Sequence, residues 1–186
     1  MALPTPLQAF SGVPKNTASA DKQTIIDGEK MTGAQALIRA LEDLGVQDVF
    51  GLPGGAPAGV PRDQRRYEVP VHARTPRAGR RPCRRRLCVA TGRVGVCIVT
   101  SGPGATNMIT PIADANMDSV PLVVITGQVG VNAIGTDAFQ EADIVGATYP
   151  VVKHSYLVTR AQDIPRVLAE AHYIARSAAP ARWSWT

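Results

Sequence analysis

The sequence predicts an α/β fold, a mostly parallel sheet flanked by helices, and three observations carry that prediction. Val94–Thr100 and Pro121–Thr126 are near-continuous runs of β-branched and apolar residues, the composition of strands buried on both faces. Between them, Ala105–Met117 can form a helix after the Ser101-Gly102-Pro103-Gly104 turn, which completes a βαβ unit with parallel strands. Upstream, VQDVFGLPGGA repeats the motif as a short apolar strand running into a Pro-Gly-Gly turn.

The remaining elements follow in chain order. Residues 1–30 are rich in Ser, Thr, Pro, Ala and Lys without an apolar period, so they predict a flexible N-terminal tail ahead of a domain over 31–180. Thr32 suits a helix N-cap. Ala36, Leu37, Ala40, Leu41 and Leu44 then recur at helical spacing until Gly45 closes the turn. Near the end, Ile164, Val167, Leu168, Ala171, Ile174 and Ala175 share one helical face, with Asp163 available as its cap. The closing PARWSWT has no place in that helix.

A length of 186 residues, with 45% apolar and 19% charged residues, suits one globular domain with tails. The net charge is +5. Its distribution is uneven: residues 57–89 hold ten arginines against Asp63 and Glu68, a local +8 that leaves the rest of the chain at −3. Cys83, Cys88 and Cys97 match no zinc spacing, so free thiols in a reducing compartment and no metal site are expected. No apolar run nears the ~20 residues that span a bilayer. The N-terminus also lacks the basic and apolar regions of a secretory signal, which together give a cytoplasmic expectation with no membrane partner.

In open parallel sheets, ligands bind at the carboxyl ends of strands, where helix N-termini present free N–H groups. Thr100, Ser101 and the SGPG turn occupy such a place, although a Gly-Pro turn also serves as a plain connection.

These residues carry a specific resemblance. FGLPGGA at 50–56, ATGRVGVCIVTSGPGATNMITPIADANMDSVPLVVITGQV at 90–129 and GTDAFQEADIVGATYPVVKHSYLV at 135–158 resemble the N-terminal pyrimidine-binding domain of the acetolactate synthase (acetohydroxyacid synthase) large-subunit family. The resemblance implies the thiamine diphosphate-binding fold. It also implies an enzyme that decarboxylates pyruvate and joins the two-carbon unit to a second 2-keto acid in valine, leucine and isoleucine biosynthesis. By the same resemblance Leu52, Pro53, Gly54, Thr100, Pro103 and Asn107 lie against the aminopyrimidine, and Phe139 and Gln140 face the reaction centre. Read from the residues alone, Asn107 is equally a helix cap, Phe139 a core aromatic and Gln140 a solvated loop amide. Family members are homodimers or tetramers with a regulatory small subunit. They hold Mg²⁺ and FAD in domains that the resemblance does not find in this chain.

The resemblance breaks at 57–89. Just before ATGR the family reads something like HEQGAGHAAEGYA, whose Glu hydrogen-bonds the cofactor's ring nitrogen and activates it. Arg77 to Cys88 read RAGRRPCRRRLC, so Arg77 stands at the position of that Glu. Written in GC-rich codons and read from the third base, the family motif translates to Arg-Ala-Gly-Arg-Arg-Pro-Cys-Arg-Arg-Arg-Leu-Cys, which is 77–88 in order. The block is therefore read as out of frame, entered shortly after Ala56 and left near Val89, and the fold is expected to be disrupted there. Ala181–Thr186 can likewise be encoded so that another frame gives a Pro-Val-Val-Leu-Asp strand.

A guanidinium stays protonated and cannot share a proton with the ring nitrogen, so this chain is expected to be inactive alone. Two other classes compete with a synthase fragment. One is an inert pseudogene remnant. The other is an Arg-rich nucleic-acid-binding arm, which the lack of any Phe, Tyr or Trp at 68–90 and the frame arithmetic disfavour.

Overall fold

The structure, a computed structural model, describes residues 24–26, 28–52, 71–73 and 92–177. Pro53, Gly54, Arg77 and the tail at 181–186 lie outside the described residues, as does the 57–89 block apart from the backbone of 71–73.

Two short strands open the described chain, β1 (Thr24–Ile26) and β2 (Glu29–Met31), paired antiparallel. They occupy the last residues of the stretch expected as a tail over 1–30, whose residues 1–23 lie outside the described ones. Asp27-Gly28 stands between the strands, and Gly28 has φ +84°, a value that turn residues of tight hairpins require. Ile26 and Met31 bury their side chains against Ala36 of the following helix.

Helix α1 (Gly33–Asp43) begins where a capping box predicts it. Thr32 Oγ1 accepts from the Gln35 N–H at 3.2 Å, and Gln35 Oε1 accepts from the Thr32 N–H at 2.9 Å. It ends in a Schellman motif: the Gly45 N–H donates to the Glu42 carbonyl and the Val46 N–H to that of Leu41, with Gly45 at φ +70°.

The main sheet has the order β4-β3-β5-β6, every neighbour parallel. Its strands are β3 (Val49–Leu52), β4 (Val71–Ala73), β5 (Gly95–Val99) and β6 (Leu122–Thr126). Thus an edge strand forms inside the block expected to be disrupted. Every residue of β5 is buried, because strand alternation sends Val96 and Ile98 to one layer of helices and Cys97 and Val99 to the other. Leu41 of α1 and Leu168 of the last helix, α5 (Ile164–Arg176), cover the first face. Met108 and Ile112 cover the second.

The expected helix over 105–117 is divided into α2 (Pro103–Thr106) and α3 (Ile109–Met117). Pro111 explains the division: it has no N–H to offer the Asn107 carbonyl one turn back, so the chain cannot hold a regular helix through 107 and 108. Past β6 the chain makes α4 (Ile144–Thr148) before reaching α5. Asp163 stands at the N-cap of α5, but its carboxylate does not cap. It accepts from Arg160 Nε at 2.9 Å and Nη2 at 3.2 Å instead.

Candidate functional site at the carboxyl edge of the sheet

Parallel strands point their carboxyl ends the same way, so the sheet register decides which turns meet. Leu52 pairs with Val99, and Val99 with Thr126. The start of the Leu-Pro-Gly-Gly turn is thereby set beside the Ser-Gly-Pro-Gly turn, and the end of β6 flanks both.

Thr100 follows β5 directly and is 9% exposed. Its Oγ1 is buried without a hydrogen-bond partner. Native folds leave few such groups, because an unmet buried hydroxyl costs about 1–3 kcal/mol. Gly102, the N-cap of α2, has φ +56° and ψ −115°, backbone angles open to glycine and not to residues with a Cβ. A Cβ there would sit 2.8 Å from the Gln140 carbonyl oxygen and 3.0 Å from its Cα. One at Gly104 would sit 2.5 Å from Thr100 Cγ2. Gly102 therefore lets a loop from far along the chain close over the turn, and Gly104 lets α2 sit against Thr100.

That loop, 135–141, is held in an unusual shape. Asp137 and Gln140 have φ of +56° and +61°, two of the three non-glycine positive values among the described residues. Glu141 holds it together: its carboxylate accepts from the Gly135 N–H and, at 3.0 Å, from the Ala138 N–H. The hydrogen bond from Gly135, followed by that from Ala138, keeps the Glu141 carboxyl below its ordinary value of 4.5. Gln128, just past β6, donates from Nε2 to the Ala142 carbonyl at 3.2 Å and ties the loop to the sheet. Strained backbone persists where its surroundings over-determine it, as here.

The structure thus brings Thr100, the Pro103 turn and Gln140 together, with the Leu52 backbone alongside. Asn107 is the exposed C-cap of α2, where its backbone N–H donates to the Pro103 carbonyl. Phe139 is 88% exposed and so is not a core aromatic. Reading the sequence alone overlooked Glu141 and Gly102 as organisers. Glu141 had a signal in its place three residues after Ala138, within reach of the preceding turn's N–H groups, but Gly102 becomes decisive only once Gln140 is seen above it.

What the turn offers a flat heteroaromatic ring is the lone hydroxyl at the strand end beside a clamped loop, the open sides of Gly102 and Gly104 being taken up by Gln140 and Thr100. Among the described residues no group of three His, Cys, Asp or Glu gathers to hold a metal ion. The large cavity of about 1090 Å³ runs along the outer side of β6 and touches this loop only at residues such as Gly135 and Glu141.

Comparison with known proteins agrees with the geometry. Residues 86–147 match the family described as thiamine pyrophosphate enzyme, N-terminal TPP binding domain. The chain is 55% identical over 155 residues to the acetolactate synthase large subunit of Mycobacterium tuberculosis, covering 82% of this chain and 25% of that one. It is 49% identical over 186 residues to the acetolactate synthase of Mycobacterium leprae, covering 96% and 29%. With the isozyme 3 large subunit of Escherichia coli it shares 48% over 163 residues, covering 82% and 27%. The chain spans between a quarter and three tenths of the length of these relatives.

Proposed function

The chain belongs to the thiamine pyrophosphate enzyme family, alongside the acetolactate synthase large subunits, and on that premise we propose that its folded part is the aminopyrimidine-binding face of such a synthase. The whole enzyme would decarboxylate pyruvate and join the two-carbon unit to a second 2-keto acid, a step of branched-chain amino-acid synthesis. The buried, unpartnered Thr100 hydroxyl at the end of β5 carries this reading.

Bound thiamine diphosphate supplies the nucleophilic carbon for such chemistry. The part of this chain is to bind and orient. Thr100 would meet a polar edge of the aminopyrimidine, and Leu52, Pro53 and Gly54 would approach from the neighbouring turn. Pro103 and Asn107 would bound the pocket on the α2 side, while Gln140 and Phe139 would face the keto acid across the loop that Glu141 fixes. Mg²⁺ and FAD belong to the remainder of the enzyme in this proposal, as do a second copy and a regulatory small subunit, the last suggested by relatives named large subunits. The compartment proposed is the cytoplasm. No helix among the described residues is long and apolar enough to cross a membrane.

The chain as written lacks the activating carboxylate, and Arg77 in its place cannot exchange a proton with the ring nitrogen. We therefore read 57–89 as out of frame and the chain as inactive by itself. The family match begins at Arg86, close to where the frame would recover, which favours that reading. The experiment is a calorimetric titration with thiamine diphosphate beside an assay for acetolactate from pyruvate. Weak binding that disappears in Thr100→Val, without acetolactate, is expected. Acetolactate from the chain as written, or binding indifferent to Thr100, would overturn the proposal.

A further inference from the structure

Loop 135–141 lies over the Ser-Gly-Pro-Gly turn, and one side chain gives it its shape. Both oxygens of the Glu141 carboxylate are engaged by the loop's own backbone: Oε1 accepts from the Gly135 N–H and Oε2, at 3.0 Å, from the Ala138 N–H. Thr136 and Asp137 turn their N–H groups toward it as well, so the backbone of four successive residues wraps the carboxylate. Successive N–H groups in alternating right- and left-handed conformations form a hollow that receives an anion, and Asp137, at φ +56°, is left-handed. An amide could not serve equally, because it offers one acceptor and meets the other N–H with a donor.

Gln140, the residue before Glu141, is left-handed too, at φ +61°. A Cβ on Gly102 would lie within 3.0 Å of the Gln140 carbonyl oxygen, Cα and Cβ, so Gln140 rests directly on the turn. A residue with a Cβ does not hold such backbone angles by itself; its surroundings must fix them. On the far side, Gln128 Nε2 donates to the Ala142 carbonyl at 3.2 Å and pins that residue to the end of β6. On the near side, the Glu141 N–H donates to the Ala138 carbonyl at 2.9 Å, and the carboxylate draws 135–138 inward. Phe139 is thereby turned out to solvent, 88% exposed.

We propose that Glu141 is a positioning residue for the candidate site: its carboxylate fills the hollow of 135–138, fixes Gln140 over Gly102 and so shapes the turn that carries Thr100. The ligand side of this inference rests on the functional reading above, and the loop side does not.

The test uses the full chain and its Glu141→Ala and Glu141→Gln variants, in sodium formate and in sodium chloride at equal ionic strength. It reads amide exchange over 138–141, the Gly102 amide resonance and thiamine diphosphate affinity. In chloride, Glu141→Ala is expected to speed exchange at Ala138 and Gln140 by ~10-fold, to shift the Gly102 resonance and to weaken thiamine diphosphate binding by ~10-fold. Formate, a free carboxylate that fits the vacated hollow, is expected to reverse all three. Glu141→Gln, of the native size, keeps the chain folded and is expected to show the same losses without recovery, because its amide still occupies the hollow. Leu41→Ala, which weakens the core elsewhere, is expected to leave the Gly102 resonance in place and to gain nothing from formate.

Unchanged exchange and an unchanged Gly102 resonance in both variants would overturn the inference. So would recovery of Glu141→Ala that is absent in formate or equal in chloride, or a loosened loop with undiminished thiamine diphosphate binding. A parent chain that binds no thiamine diphosphate refutes the functional reading instead, and the loop readings alone then decide this inference.

Discussion

Replacing Thr100 with Val is expected to stabilise the chain while weakening its ligand site. Thr100 is 9% exposed, and its Oγ1 has no partner, so the fold carries the desolvation cost of one hydroxyl, about 1–3 kcal/mol. Valine keeps the Cγ2 methyl against which Gly104 packs and puts a second methyl where the hydroxyl was. The added methyl is bulkier than the oxygen, and some of the gain is lost to crowding, which leaves roughly 1 kcal/mol in favour of Val. For a chain of this size that raises the melting temperature by about 2–4 °C. Thermal unfolding followed by circular dichroism, with and without thiamine diphosphate, measures both effects: the variant melts higher alone and gains less from the ligand. If Val lowers the midpoint without ligand by a few degrees, the hydroxyl is satisfied in the folded chain and the reasoning from an orphaned group is refuted.

Three further substitutions probe the scaffold. Gly102→Ala forces a Cβ into glycine-only backbone and against Gln140, and a loss of about 1–3 kcal/mol is expected in urea denaturation, with faster exchange in residues 138–141. Leu41→Ala opens a hole in the layer between α1 and the sheet and is expected to cost about 2–5 kcal/mol by the same assay, with an unchanged m-value. The Glu141 carboxyl titrates below its ordinary 4.5, so its hold on the loop is complete above that pH and is lost as pH falls through the lower folded value. The Gly135 amide resonance should follow that titration, and Glu141→Gln should abolish it.

Much of the fold could be read from the sequence because its central parallel strands are written as unbroken apolar runs, of which β5 is buried throughout and β6 at Val123. Gly95–Val99 and Leu122–Thr126 fall within the predicted runs, and Thr32 and Gly45 mark the ends of α1 through their caps. The hairpin at Thr24–Met31 leaves no such mark, because each strand is three residues long, too short to show a period. The break at 107–108 depends on one missing N–H at Pro111, a signal that apolar spacing does not carry. At the candidate site, resemblance alone proposes Thr100 and Pro103. The closure of Gln140 over Gly102 is a contact across nearly forty residues, set by backbone strain that composition does not reveal. Arg77, where the proposal places the lost activating carboxylate, stands in the stretch proposed to be out of frame.

The most direct test of the central claim is the sequence of the coding DNA across codons 50–95, read on both strands and from the transcript. The account predicts a base gained or lost just after codon 56 and a compensating change near codon 89, so that the corrected frame restores a His-Glu-Gln run at 76–78. An unaltered frame, with arginine codons throughout 77–86 wherever the protein has arginine, would contradict it and make the Arg-rich block a genuine part of this chain.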